Sequence, residues 1–245
     1  MTVSESVLVV MGPQARQFLQ PLIPQSLAND DFAFGTMQPI EIGHAVGRAH
    51  RVTYVGELGW ELYIPADMSA HVFETLMARR AEHPMALCGL HALDSCRIEK
   101  AFRHFGHDIS NEDHVLEAGL GFAVKEDKPT GRFGGMIGAD AVRAKRNDGL
   151  AQRLMQFRLK DPQPLLYHNE AILRDGELIG YLTSGNYGHH LGAAIGLGYV
   201  KCVAVGETAQ QQLQSNYQID VAGQLVDAEV SFRPMYDPKA LQIRL

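Results

Sequence analysis

From Arg153 onward the sequence is a succession of short β-like runs with no long amphipathic helix between them, and few architectures accept such a chain. Residues 154–159, 171–174, 177–183, 193–200 and 217–221 carry strand-like composition, separated by Asp-Gly, Ser-Gly and Gly-Glu turns. Asp175-Gly176 is a dipeptide suited to the positive φ angles of a two-residue hairpin. Strands at this spacing close into a small barrel or stack as a sandwich.

Upstream the pattern is mixed. Residues 6–11 form an apolar run ending at Gly12-Pro13, after which Ala15, Phe18, Leu19 and Leu22 recur at helical spacing, so the reading is strand, turn, helix. Strands are expected over 37–42 and 44–53, joined near Gly43. A helix is expected over 69–80, with Val72, Phe73, Leu76 and Met77 on one face. Another spans 88–102, where Leu90, Leu93, Ile98 and the small Ala92 and Ala101 form the buried stripe, leaving Arg97, Glu99 and Lys100 to solvent or to partners. Residues 116–125 begin turn-like and end as a strand, 126–135 are polar and glycine-rich, and 139–146 resume a short helix. Lys145-Arg146-Asn147-Asp148-Gly149 is a compositional break that places a boundary between a domain at 1–148 and another at 149–245.

Composition excludes several classes. With 46% hydrophobic and 20% charged residues the chain is an ordinary globular one. Its formal net charge of -6 argues against non-specific nucleic-acid binding, which needs clustered Lys and Arg. The 3 cysteines, with no CxxC among them, point to a reducing compartment. No run is long and apolar enough for a membrane span, and the amino terminus lacks a basic region followed by an apolar one, so a cytoplasmic location is expected.

The segment Tyr54-Val55-Gly56-Glu57-Leu58-Gly59-Trp60-Glu61-Leu62-Tyr63 is the main candidate for chemistry. Its glycines allow positive φ or close backbone approach, and Val52, Tyr54, Leu62 and Ile64 read as strands on either side. A carboxylate at the base of such a hairpin can accept two parallel hydrogen bonds from a planar N–H pair on a guanidine or an aminopyrimidinone ring. Tyr54, Tyr63, Phe122 and Tyr236 supply aromatic faces to go with Glu61, a combination suited to a flat heteroaromatic ligand. Metal chemistry has little support, because His189-His190, His104 with His107, and Cys88 with His91 lack a ligand framework. Neither a GxSxG elbow nor a phosphate loop occurs, and Gly119-Leu120-Gly121 does not open a helix pattern.

Five blocks in order carry a resemblance: residues 54–62; Gly89-Leu90-His91-Ala92-Leu93-Asp94-Ser95-Cys96-Arg97-Ile98-Glu99-Lys100; Gly106-His107-Asp108-Ile109; Leu116-Glu117-Ala118-Gly119-Leu120; and Gly180-Tyr181-Leu182-Thr183-Ser184-Gly185. The chain resembles the aminomethyltransferase family, that of the glycine-cleavage T-protein. Within it the chain looks most like the folate-binding C-terminal portion of dimethylglycine and sarcosine dehydrogenases, notably through Gly-Glu-Leu-Gly-Trp-Glu-Leu-Tyr and Arg-Ile-Glu-Lys.

The resemblance implies an α+β architecture: a T-protein-like folate-binding α/β domain followed by a small C-terminal β-barrel, with tetrahydrofolate in a central channel. It implies that Glu61 accepts hydrogen bonds from the amino-pyrimidinone edge of the pterin and that Tyr54 lines the same pocket. Phe122 falls where relatives often carry a Tyr, so it can stack but cannot hydrogen-bond. Tyr236 is implied as the aromatic closing the site, and Arg97 and Asp94 as braces of their helix. Two departures qualify the implied activity. Leu93 stands where T-proteins carry an Arg before the Asp. The family segment expected before the Gly12-Pro13 region, which carries its catalytic Asp, is not in this sequence, so the first domain is expected to be incomplete and no catalytic residue is assigned. The implied activity is one-carbon transfer from an amine donor to tetrahydrofolate; the alternatives are a non-catalytic folate-binding or assembly module beside a dehydrogenase subunit, or an inactive family member. Strand edges or an apolar face left by a shortened domain would favour a homo-oligomer.

Overall fold

The structure is a computed structural model that describes residues 4–127, 135–204 and 206–245. Part of the polar stretch at 126–135 therefore lies outside the described residues. The chain forms two compact units, residues 1–93 with 239–245, and residues 94–238.

The first unit is built on a four-stranded antiparallel sheet of β1 (Glu5–Met11), β2 (Met37–Ile42), β3 (Ala45–His50) and β4 (Gly59–Pro65), in the order β1-β4-β3-β2. Two helices, α1 (Ala15–Leu19) and α2 (Ser69–Arg79), supply apolar side chains to one side of it. Alternation along the strands sends Val10, Ile40, Ile42, Ala49, Trp60, Leu62 and Ile64 into that core, with Phe18 and Leu19 from α1 and Val72 and Leu76 from α2. Trp60 is wholly buried, with Phe32 edge-on at 6.2 Å and the guanidinium groups of Arg16 and Arg51 at 5.8 and 5.7 Å from its ring centre.

The opposite sheet face is open. Val7 and Val9 of β1, Val46 of β3 and Met37 of β2 are all exposed on it. Val52 and Tyr54, expected as strand residues, instead lie in the 51–58 connection. There Thr53 Oγ1 accepts from the N–H groups of Val55 and Gly56, and Gly56 takes φ +82°, so the side chain and the glycine together replace ladder pairing.

Helix α3 (Leu90–Glu99) runs from the first unit into the second, which continues through α4 (Ala139–Asp148) into a barrel. Its strands are β5 (Gln152–Leu159), β6 (Ala171–Arg174), β7 (Glu177–Gly188), β8 (Ala193–Lys201), β9 (Tyr217–Val221) and β10 (Gln224–Ser231), with α5 (Ala209–Leu213) between β8 and β9. The circuit β10-β5-β8-β7-β6-β9 is closed, which removes strand edges and settles barrel against sandwich. Phe157, Ile172, Leu182, Val200, Ile219 and Val226 belong to its core.

A further local expectation is overturned and another holds only in part. Residues 116–125 do not end as a strand; Gly121–Ala123 is a single 3₁₀ turn, its neighbours closed by Ala123 N–H to Leu120 and Val124 N–H to Gly121. These local bonds satisfy the backbone without a ladder. Along α3 and just beyond it the anticipated stripe holds in part: Ile98 and Ala101 are buried while Leu90 is 82% exposed, and Arg97, Glu99 and Lys100, expected to need solvent or partners, are 1–2% exposed. Each of the three charges has a polar partner, which is what makes their burial tolerable.

Candidate functional site

Glu61 owes its position to register. It pairs with Val9 of β1 on one side and His50 of β3 on the other, while Tyr63 pairs with Val7 and Arg48. Since Trp60, Leu62 and Ile64 face the core, Glu61 and Tyr63 both stand on the open face. The Tyr63 hydroxyl donates to Glu61 Oε2 at 2.7 Å. That bond is the main reason the phenol is held above its ordinary pKa, with burial and the charge of Glu61 acting in the same direction. Arg48 approaches the Tyr63 ring at 5.7 Å and pairs with Glu5 at 2.6 Å.

The donation fixes one carboxylate oxygen of Glu61 and leaves it lone pairs on both. A planar ligand presenting adjacent N–H groups matches that acceptor. An apolar valine flanks it on one side and an imidazole on the other. Tyr54 is half-buried in the preceding connection, within the same unit.

The other two candidates belong to the second unit. Phe122, on the 3₁₀ turn, is 85% exposed. Tyr236 is half-buried and stacks on His190, ring centres 4.0 Å apart and planes inclined by 11°. From sequence, His189-His190 reads as a pair without a metal-ligand framework. Among the described residues no group of three or more His, Cys, Asp or Glu side chains could hold a metal ion.

The charged end of α3 and its neighbours form a polar assembly that the sequence did not disclose. Arg97 binds Asp94 at 2.6 Å, Ser184 Oγ at 2.7 Å and the wholly buried Asp108. Asp108 in turn accepts from Thr183 Oγ1 at 2.5 Å and from the His104 N–H. Glu99 Oε1 accepts from the N–H groups of His190 and Leu191, and Lys100 binds Asp237 through both its carbonyl and its carboxylate. The available signal was the run of three charges in four residues at a helix end, too dense for one solvated face yet silent about its partners. A separate cavity of about 590 Å³ lies in the second unit between the 106–113 loop and the barrel, and none of Phe122, Tyr236 and His190 lines it.

Comparison with known proteins agrees with this architecture. Residues 1–128 match the GCVT N-terminal domain and residues 152–237 the glycine cleavage T-protein C-terminal barrel domain. The chain is 36% identical over 243 residues to a 4-methylaminobutanoate oxidase (formaldehyde-forming) of Paenarthrobacter nicotinovorans, covering 99% of this chain and 28% of that protein. It is 31% identical to the mitochondrial sarcosine dehydrogenase of Homo sapiens, covering 97% of this chain and 26% of the relative. With an aminomethyltransferase of Halothermothrix orenii it shares 34% identity, over 80% of this chain and 53% of the enzyme. It thus spans about a quarter of the oxidase and dehydrogenase and about half of the aminomethyltransferase. The crystal structure of the glycine cleavage system aminomethyltransferase T from Bartonella henselae has the same fold, with TM-score 0.65 at 17% identity over 95% of this chain and 84% of that one. The chain therefore belongs to the aminomethyltransferase family of the glycine-cleavage T-protein, a folate-dependent family whose two domains correspond to its matched regions.

Proposed function

We propose that this chain binds tetrahydrofolate, with Glu61 as the acceptor for the pterin edge, and takes part in transferring a one-carbon unit to it from an amine donor. The observation that carries the reading is the Glu61–Tyr63 pair on the open face of β4, in a chain of a folate-dependent family. The donor set suits the ligand: an oriented carboxylate with room for two parallel N–H···O bonds. Tyr54 and Tyr63 supply aromatic walls in the first unit; Phe122 and Tyr236 are proposed as aromatic contacts on the family resemblance alone. Tetrahydrofolate supplies the amine nitrogens that accept the one-carbon unit. The chain's own residues bind and orient it, and orientation is a large share of such catalysis.

A second reading is a folate-binding module working beside an amine dehydrogenase. It is favoured by the likeness to oxidase and dehydrogenase relatives and by Leu93 preceding Asp94. Self-association is also proposed, the exposed Val7, Val9 and Val46 offering apolar surface to a second copy. A reducing compartment such as the cytoplasm suits Cys88, Cys96 and Cys202, all free thiols. Among the described residues no helix is long and apolar enough to cross a membrane.

Calorimetric titration with tetrahydrofolate is the test. Saturable binding that Glu61→Ala abolishes upholds the folate reading, and absence of binding by the unaltered protein overturns it. Formation of 5,10-methylenetetrahydrofolate from a methylamine-type or glycine-derived donor then separates enzyme from module, and light scattering across a concentration series reports self-association.

A further inference from the structure

Trp60 has two arginines against it and, among the described residues, neither is paired with an acid. It is the one tryptophan of the chain and belongs to β4, with Arg16 of α1 at 5.8 Å and Arg51, just after β3, at 5.7 Å from its ring centre. All three residues lie in the first compact unit. Arg16 donates from Nε to the Leu27 carbonyl at 2.8 Å and from Nη2 to Asn29 Oδ1 at 2.6 Å, and Arg51 donates from Nη1 to the Phe32 carbonyl at 2.7 Å. These bonds tie down the irregular segment before β2, but every acceptor in them is neutral.

Two buried N–H groups remain. Arg51 is 2% exposed and Trp60 wholly buried, yet among the described residues neither Arg51 Nε nor Trp60 Nε1 has a hydrogen-bond partner. Unmet donors in a core are costly, and an uncompensated buried cation more so. The other buried arginines show the usual remedy: Arg97 has Asp94 and Asp108, and Arg174 has Glu207. Burial, and after it the charge of Arg16, lower the pKa of Arg51. A guanidinium nevertheless keeps its proton at ordinary pH, so ionisation does not remove the problem.

We infer that a small monovalent anion of the chloride class binds beside Trp60, accepting from Arg51 Nε and the indole N–H, with the positive charge of Arg16 adding to its hold. Such an ion supplies both the acceptor and the counter-charge that this part of the chain lacks. The surroundings set the class. Trp60 and Phe32, edge-on at 6.2 Å, belong to the apolar core of the unit, where the desolvation of sulfate or phosphate would go unrepaid and that of a halide is smaller. Entry is from the Arg16 side, since Arg16 is half-buried and its partner Asn29 exposed. The site does not depend on the folate reading.

Trp60 reports on the site directly. Its emission is followed on the full chain as sodium iodide replaces sodium gluconate, an anion too large for the core, at constant ionic strength. A heavy halide held beside the indole quenches it. Because the ring is inaccessible to collision, the quenching is expected to saturate, and chloride added at fixed iodide is expected to restore the emission by competition. Quenching that stays proportional to iodide and ignores chloride overturns the site.

Thermal unfolding supplies a second readout. The midpoint is expected to rise as chloride replaces gluconate, as for any ligand held only by the folded chain. Arg51→Met removes the charge and keeps an unbranched side chain, and it is expected to abolish both the saturable quenching and the chloride dependence. Arg16→Gln is expected to weaken halide binding about tenfold, through loss of a nearby charge, and decides the matter if Arg51→Met fails to fold by circular dichroism. Responses unchanged in the folded variants would put the halide elsewhere and overturn the proposal. So would a midpoint indifferent to chloride in the unaltered protein, the result expected if water alone serves the two donors.

Discussion

The Tyr63 hydroxyl and the Glu61 carboxylate are hydrogen-bonded at 2.7 Å on the same face of β4, so the proposed pterin acceptor is oriented by its own strand. Removing that hydroxyl should therefore cost binding without costing the fold. Tyr63→Phe is expected to weaken tetrahydrofolate binding several-fold, about 1 kcal/mol, because the carboxylate regains rotational freedom. The half-buried ring keeps its packing, so the unfolding midpoint moves little. Calorimetry and thermal unfolding on the same samples check both parts; a large fall in the midpoint with affinity intact would reverse the assignment.

The Arg97–Asp108 pair should behave as a buried ion pair. Both side chains are almost wholly inaccessible, and Asp108 also holds Thr183 and the His104 N–H. Asp108→Ala leaves a buried guanidinium whose remaining partners among the described residues are Asp94, Ser184 and the Phe102 carbonyl. The expected loss is about 3 kcal/mol or more in urea unfolding. Glu5→Gln, which breaks the Arg48 pair with both partners about half exposed, is expected to change stability by less than about 1 kcal/mol.

What could be read in advance depended on whether the determining physics was local. Asp175-Gly176 announces its hairpin because the two residues take φ +51° and +89°, conformations that Asp tolerates and Gly prefers. The β9–β10 hairpin turns at Ala222-Gly223 with φ +54° and +88°, and the sequence does not announce it because alanine gives no sign of adopting such a value. Glu61 and Tyr63 could be placed on one face by alternation alone. Arg97, Glu99 and Lys100 could not be placed, since their partners Asp108, His190 and Asp237 come from three distant loops. Periodicity sees a helix face; it does not see what the rest of the chain brings to it.

Acid should weaken the barrel unit through Glu207. The hydrogen bond from Arg174, at 2.6 Å, chiefly lowers this carboxyl's pKa, helped by the Val203 N–H and by the charges of Arg174 and Arg153 against the opposing effect of burial. With the folded value below the unfolded one, the unfolded chain takes up the proton first as pH falls. The contribution is therefore complete above the ordinary glutamate range and is lost as pH drops through the folded value. Urea midpoints taken from about pH 7 down to about pH 3 should fall more steeply for the unaltered protein than for Glu207→Gln, which starts lower and has no such proton to gain. Equal slopes would show that this pair does not contribute to acid sensitivity.

Gly180 marks the closest approach in the barrel wall. A Cβ at this position would lie 2.0 Å from the Tyr199 carbonyl oxygen, and that oxygen belongs to β8, paired along its length with β5 and β7. The obstacle is backbone rather than a flexible side-chain end, so relief requires β7 and β8 to separate or shift register. Closure of the barrel resists both, because displacement at one strand pair must be taken up around the circuit. Gly180→Ala is thus expected to destabilise by about 3 kcal/mol, at the upper end of the usual overpacking cost. Gly89 precedes α3 with nothing within 4 Å of its added Cβ and serves as the contrasting position. There Gly89→Ser should stabilise by only a few tenths of a kcal/mol, through an added N-terminal cap. Urea unfolding of the two variants side by side decides the matter: similar midpoints would mean that the strands yield readily at Gly180 and that the close approach carries no energetic weight.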